Sequence, residues 1–140
     1  MSSKAQTIAL WVLKLIAAGL MLQTLFFKFT ASEESVYIFS QLGMEPWGRI
    51  ASGIAELIAA VLILIPRTTW LGELLGMGVI SGAIFFHLTK LGIEVQGDGG
   101  LLFIYALIIF ISCAILVFVN RRKFLGYLPG KKRSHLAMRP

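Results

Sequence analysis

The stretch GRIASGIAELIAAVLILIPR, residues 48–67, decides the fold class because it sets one carboxylate inside a long apolar run. Seventeen residues separate Arg49 from Arg67, and Glu56 is the only charged residue among them. Such a run approaches the roughly 20 mostly apolar residues that a membrane-spanning helix requires. A charge at that depth disfavours insertion by about 2.5–3.5 kcal/mol. Glu56 must therefore be protonated, paired or turned toward a polar cavity.

The composition of the chain indicates which solvent surrounds Glu56. Of the 140 residues, 57% are hydrophobic and only 14% are charged, whereas soluble domains carry about 25% charged residues. The net charge of +6 arises in the tail, because seven of the thirteen basic residues lie in the last twenty-one positions. The sequence therefore predicts an integral membrane protein in contact with a lipid bilayer, and the localised charge does not indicate a nucleic-acid binder.

Four apolar segments have about the length of a membrane span, which predicts a single all-α domain over 1–140, an integral membrane four-helix bundle. We expect the spans at about residues 7–29, 48–65, 70–92 and 100–119. The PRTT break after the second span is short enough to force an antiparallel helical hairpin. Asp98, followed by two glycines, provides a turn and a candidate N-cap before the fourth span.

The segment between the first two spans, residues 30–47, has a different pattern. Ser32 lies at a helix-start signal, apolar residues recur after it at helical spacing, and Gly43 with Pro46 marks an end. This pattern predicts a short amphipathic helix that lies in the membrane interface or in the mouth of the bundle. The alternative is an ordinary exposed loop.

The distribution of basic residues predicts the orientation of the spans. Lysine and arginine occur at the N-terminus, in the second loop and in the tail, whereas the first and third loops are mainly acidic. Because cytoplasmic loops are enriched in lysine and arginine, we expect both termini in the cytoplasm. Residues 120–140 then form a basic cytoplasmic tail that lies against anionic lipid.

Three ionisable residues on different spans are expected to converge in the outer half of the bundle. Lys28 ends the first span, Glu56 lies within the second, and His87 lies near the end of the third. Small residues surround Glu56 at helical spacing, which favours an inward-facing carboxylate. The cluster predicts a ligand-binding or proton-handling pocket, since a histidine titrates near neutral pH. Three further polar residues complete this pocket: Gln23, Lys90 and Tyr105.

The alternative explanation of the same charges is a buried ion pair that fixes helix register and binds no ligand. A second set of charges, Lys14, Arg67 and Glu73, lies toward the inner side, where we expect anchoring at the interface. Gly78 and Gly82, four residues apart in the third span, predict a close contact with a neighbouring helix.

The chain offers few residues for other chemistry. Its single cysteine, Cys113, excludes an internal disulfide, and there is no Cys-x-x-Cys motif. No cluster of metal ligands is apparent, so we expect no metal and no cofactor held by this chain alone.

Three stretches resemble the DoxX family of small bacterial four-helix membrane proteins: FFKF at 26–29, GMEPWGRIASGIAELIAAVLILIP at 43–66 and HLTKLGIEVQGDGGLLFIYAL at 87–107. The shared elements are a lysine closing the first helix, Gly53-x-x-Glu56 in the second, and His87 near the end of the third. The resemblance extends from about residue 8 to 119, and the DGG before the fourth span is similar to versions from the Bacteroidetes lineage.

The resemblance implies a four-helix bundle with a short helix after the first span, in a bacterial inner membrane. The namesake subunits of the family belong to a membrane thiosulfate:quinone oxidoreductase, so the resemblance implies a redox-associated protein, a quinone as ligand and a redox partner protein. A related branch, MauE, is linked to thiol redox work, which the absence of a cysteine pair disfavours here.

Three functions are compatible with these observations. The first is a redox-associated site for a quinone-like or other small ligand, formed by the charged cluster and served by a partner that supplies electrons. The second is a small-solute or proton-coupled transporter, which four short helices accommodate best as a homo-oligomer. The third is a non-catalytic membrane scaffold or assembly factor, in which the charges serve only helix packing.

Overall fold

The structure, a computed structural model, describes residues 3–121 and shows an all-helical chain over that range. Its helices are α1 (Ser3–Phe29), α2 (Glu33–Gln41), α3 (Trp47–Leu64), α4 (Thr69–Phe86) and α5 (Leu101–Val119), and one turn of π-helix (His87–Leu91) continues α4. Helices α1, α3, α4 with its π-turn, and α5 are long and apolar enough to cross a membrane. The predicted membrane four-helix bundle with a short additional helix is confirmed.

The predicted span limits agree with the helices except at the start of α1. That helix begins at Ser3 rather than near residue 7, because the polar residues that precede the apolar run are also compatible with a helix. The third span includes the π-turn, whose end at Gly92 is a glycine in the left-handed region, with φ of +80°. The predicted basic tail lies, from residue 122 onward, outside the described residues.

The four spans form a ring in which each helix packs against two others. Helix α1 lies between α3 and α5, and α4 lies between the same two helices on the other side. Small side chains dominate the buried interior and allow the backbones to approach closely. The core comprises Ala17, Ala18, Met21, Ala59, Ala60, Ile63, Ile80, Ala106, Ile109 and Cys113.

Helices α3 and α4 touch through their backbones near the turn that joins them. A Cβ at Gly72 would lie 2.6 Å from the backbone nitrogen of Ile63 and 2.7 Å from the carbonyl oxygen of Ala59. No side chain fits there without moving one helix. The hydroxyl of Thr69 donates to the carbonyl of Ile63 at 2.8 Å, which links the start of α4 to the end of α3. We call this the inner end of the bundle.

At the other end of the bundle, which we call the outer end, α3 and α4 make no such backbone contact. A Cβ at Gly78 or Gly82 would have no heavy atom within 4 Å. The prediction that these glycines contact a neighbouring helix was therefore wrong. The two glycines lie instead in the wall of a cavity, a feature that glycine spacing alone does not distinguish from a helix contact.

Helix α2 lies across the outer end and contacts α1, α3 and the π-turn. The Ser32 hydroxyl accepts a hydrogen bond from the Ser35 amide at 3.2 Å, as expected of an N-cap. Gly43, with φ of +70°, follows the end of the helix. Phe39, on α2, is buried. The predicted amphipathic helix is confirmed, and it lies across the mouth of the bundle.

Candidate functional site: a polar cavity at the outer end

A cavity of about 650 Å³ occupies the outer half of the bundle. Residues of all four spans and of α2 line it, and several of the lining residues, among them Gln23 and Phe27 of α1 and Leu101 of α5, are exposed. The cavity is therefore open to its surroundings rather than sealed. Its volume falls within the range of about 300–1,000 Å³ that is usual for small-molecule sites.

Five of the six residues predicted to form the pocket line this cavity. They are Gln23, Lys28, Glu56, His87 and Tyr105. The sixth residue, Lys90, is exposed and lies outside the lining. The difference arises from helical geometry, because Lys90 follows His87 by three residues in a π-turn, whose wider winding moves it off the inward face.

A buried carboxylate in the cavity wall forms an ion pair that joins α1 to α3. Lys28 Nζ donates to Glu56 Oε1 at 2.6 Å, with the carboxylate side chain 3% exposed. The hydroxyl of Thr24 donates to the other carboxylate oxygen at 3.1 Å. Lys28 Nζ also lies 5.7 Å from the centre of the Phe39 ring of α2, within the range of a cation–π contact. The buried carboxylate is thus paired, and α2 covers the pair.

A second ion pair joins Arg49 to Glu45, four residues earlier in the chain. Arg49 Nε donates to both carboxylate oxygens of Glu45, at 2.8 and 3.0 Å. Arg49 Nη1 donates to the backbone carbonyl of Lys28, one of the carbonyls that the end of α1 leaves without an intrahelical partner. The buried guanidinium therefore holds the end of α1 against the start of α3. This ion pair was not predicted, although the i, i+4 spacing of Glu45 and Arg49 is typical of one.

His87 joins the cavity to the loop before α5. Its Nδ1 lies 3.0 Å from the carbonyl oxygen of Gly92, and its ring centre lies 5.7 Å from that of Phe103. Because a carbonyl oxygen only accepts, Nδ1 carries the hydrogen of this bond, and Nε2 is the acceptor in the neutral ring. His87 thus lines the same cavity as Glu56, with Gly92 as its hydrogen-bond partner.

Two carboxylates at the outer end were not part of the predicted pocket. Burial, and then the negative charge of Asp98, raise the pKa of Glu34 on α2 above its ordinary value. Desolvation also acts to raise the pKa of Asp98, but hydrogen bonds from three backbone amides and the nearby His87 outweigh it and lower that pKa. The donor amides belong to Val95, Gly100 and Leu102. Asp98 therefore organises the start of α5 through these amides, although the N-cap residue of the helix is Gly100 and not Asp98. Glu34 lines the cavity.

Comparison with known proteins agrees with this architecture. The model of the DoxX-like family matches residues 12–115, which include all of the paired charges described above. The chain belongs to the DoxX-like family. This DoxX-like protein is also 36% identical over 74 residues to the uncharacterized protein YwoB of Bacillus subtilis (strain 168), a match that covers 53% of the chain and 43% of that relative. No solved structure matches the chain.

The charges toward the inner end of this DoxX-like protein lie apart from the cavity. Lys14 Nζ lies 4.5 Å from the centre of the Trp11 ring, and Arg67 is exposed at the α3–α4 turn. Glu73 is fully buried, and its Oε1 accepts a hydrogen bond from the side-chain amide of Asn120 at 2.7 Å. Glu73 thus has a partner that was not predicted, in the residue that follows the end of α5.

The polar groups of the cavity are suited to hydrogen bonding and proton exchange. Among residues 3–121, no group of three or more histidine, cysteine, aspartate or glutamate side chains is arranged to hold a metal ion. The cavity instead combines an apolar wall with a paired ammonium and carboxylate, an imidazole and a second carboxylate. Such a lining accommodates an apolar ligand body with a small number of polar atoms.

Proposed function

We propose that this DoxX-like protein binds a quinone-like small molecule in the outer cavity and works with a redox partner protein. The observation that carries the proposal is the ion pair of Lys28 and Glu56 in the wall of an open cavity of about 650 Å³. A pair that served packing alone needs no space beside it. A carbonyl or hydroxyl group of the ligand exchanges hydrogen bonds with this pair, while the apolar wall accommodates the ring.

The chemistry of a quinone fits the residues that line the cavity. A quinone takes up electrons and protons together, and Lys28, Glu56 and His87 are groups that hold or release protons. The electrons come from a redox partner protein, since the chain lacks a cysteine pair. The exposed lining residues on the spans support entry of an apolar ligand from the bilayer.

The direct test is to identify what the purified protein retains. We expect mass spectrometry of an organic extract to find a quinone with the wild-type chain and much less with Glu56→Gln. Glu73→Gln is the matched control, because it alters another buried glutamate outside the cavity lining. Absence of a quinone from the wild-type extract, or equal amounts in the Glu56→Gln extract, would contradict the proposal. A retained lipid or polar solute would favour the transporter, and a retained protein subunit alone would favour the scaffold.

We also propose that the protein lies in the bacterial inner membrane with both termini in the cytoplasm, so that α2 and the cavity mouth face outward. The support is the excess of lysine and arginine at the inner end. In a Cys113→Ser background, a cysteine at Ser40 should react in intact cells with a membrane-impermeant thiol reagent, whereas one at Ser3 should not. Both positions are exposed. Labelling of Ser3→Cys alone would reverse the orientation.

A further inference from the structure

The cavity contains a hydrogen-bond acceptor that the ion pair does not use. Oε1 of Glu34 is buried and has no hydrogen-bond partner among residues 3–121, and Glu34 lines the cavity from α2. An unpaired buried polar atom is costly, so native proteins rarely keep one without a partner. A carboxyl oxygen in that position indicates a ligand atom that donates a hydrogen bond to it.

A second acceptor reaches the cavity from the π-turn. The hydrogen bond from His87 Nδ1 to the Gly92 carbonyl leaves Nε2 as the acceptor of the neutral imidazole. His87 and Glu34 both lie within electrostatic range of Asp98, and α2 contacts the π-turn. The two acceptors therefore belong to one region of the lining, at the covered mouth of the cavity.

Two donors in the cavity lining are directed at the carboxylate of Glu56. The ammonium of Lys28 donates to Glu56 Oε1, and the hydroxyl of Thr24 donates to Oε2 of the same carboxylate. Tyr105 and Gln23 also line the cavity, but their side chains both donate and accept and so favour neither kind of ligand atom. Glu34 and His87 thus add two acceptors to a lining in which the ion pair and the hydroxyl groups also supply donors.

We propose that Glu34 and His87 form an acceptor subsite that binds a hydroxyl group of the ligand, so that the cavity prefers the reduced, dihydroxy form of a quinone-like molecule to the oxidised form. This inference rests on the proposed function. A hydroquinone hydroxyl donates to the subsite, whereas a quinone oxygen only accepts and leaves both partners unpaired. The protein therefore holds the reduced product or substrate, which is the form that a partner oxidase would receive or a partner reductase would release.

The test measures the affinity of the full-length protein in detergent for decylbenzoquinone and for its hydroquinone, under anaerobic conditions. Because a quinone oxygen leaves the buried acceptors without a donor, we expect the hydroquinone to bind about tenfold more tightly. Glu34→Leu should remove most of this preference by weakening hydroquinone binding. Glu34→Gln retains an acceptor oxygen and should retain much of it.

Glu33→Leu is the matched control, because Glu33 is the exposed neighbour of Glu34 in the same helix turn. Its preference for the hydroquinone should equal that of the wild type, and the unfolding temperatures of all variants establish that they fold. Equal affinity of the wild type for both forms, or an unchanged preference in folded Glu34→Leu, would overturn the acceptor subsite while quinone binding stands. Failure of the wild type to bind either form would overturn both the subsite and the proposed function.

Discussion

Glycine residues have opposite surroundings at the two ends of the α3–α4 hairpin. At Gly72 the absence of a side chain lets the backbones of α3 and α4 touch, whereas at Gly82 it leaves open space. The inner end is thus held by direct backbone contact and small side chains, and the outer end is held by charges around a cavity. Glycine in a membrane helix therefore permits close approach of a neighbouring helix but does not require it. What lies opposite decides which outcome occurs.

The largest loss of stability is expected when the ion pair at the outer end is broken. Lys28→Met removes the ammonium that pairs with Glu56 and leaves a carboxylate buried without its counter-charge, which typically costs about 3–5 kcal/mol. We expect a large fall in the unfolding temperature in detergent. Lys90→Met is the control, since Lys90 is exposed and lies outside the cavity lining, and it should change little.

The double variant Lys28→Met with Glu56→Gln tests whether the lost stability comes from the unpaired charge. Removing both charges should recover much of the lost stability, because no charge is left buried and unpaired. A double variant as unstable as Lys28→Met alone would show that the lysine contributes by packing rather than by pairing. Restored stability together with full ligand retention would show that the pair is structural and would count against its role in the proposed site.

The next effect is expected at the inner end. Gly72→Ala places a Cβ against the backbone of α3, at 2.6 Å from the nitrogen of Ile63, so the helices must separate. Overpacking of this kind costs about 1–3 kcal/mol. We expect a lower unfolding temperature. Gly76→Ala is the control, because its Cβ would meet only side-chain atoms of Cys113 and Met21, at 3.4 Å or more. Equal falls in the unfolding temperature for Gly72→Ala and Gly76→Ala would show that a Cβ against backbone costs no more than a Cβ against side chains.

The smallest effect is expected at the outer end of the same helix. Gly82→Ala adds a Cβ where no heavy atom lies within 4 Å, and alanine in place of glycine favours a helix by about 0.5–1 kcal/mol. We expect the unfolding temperature to stay the same or rise slightly, while Gly82→Leu narrows the cavity and weakens retention of the ligand. A marked fall in stability for Gly82→Ala would mean that α4 packs against another helix at this position and would remove the contrast between the two ends.

The site could be predicted in part from the sequence. Lys28, Glu56 and His87 were found because a charge in an apolar span must face a partner or a cavity, a constraint that the bilayer imposes on any membrane helix. Arg49 and Glu34 were not found, because Glu34 lies between two spans and Arg49 lies at the very start of one, where a charge is unremarkable. Their roles depend on what α2 and the end of α1 bring next to them, and one-dimensional spacing carries no such information.

The membrane environment, the four spans and the short helix α2 could be predicted from the sequence alone, because length, hydropathy and local capping signals act within a single segment. The sequence also required Glu56 to be protonated, paired or turned toward a polar cavity. The packed helices show that Lys28 pairs with it, that His87 bonds to Gly92, and that a cavity rather than a helix lies beside Gly82. These outcomes depend on distances between segments, and such distances are fixed only when the helices pack around one another.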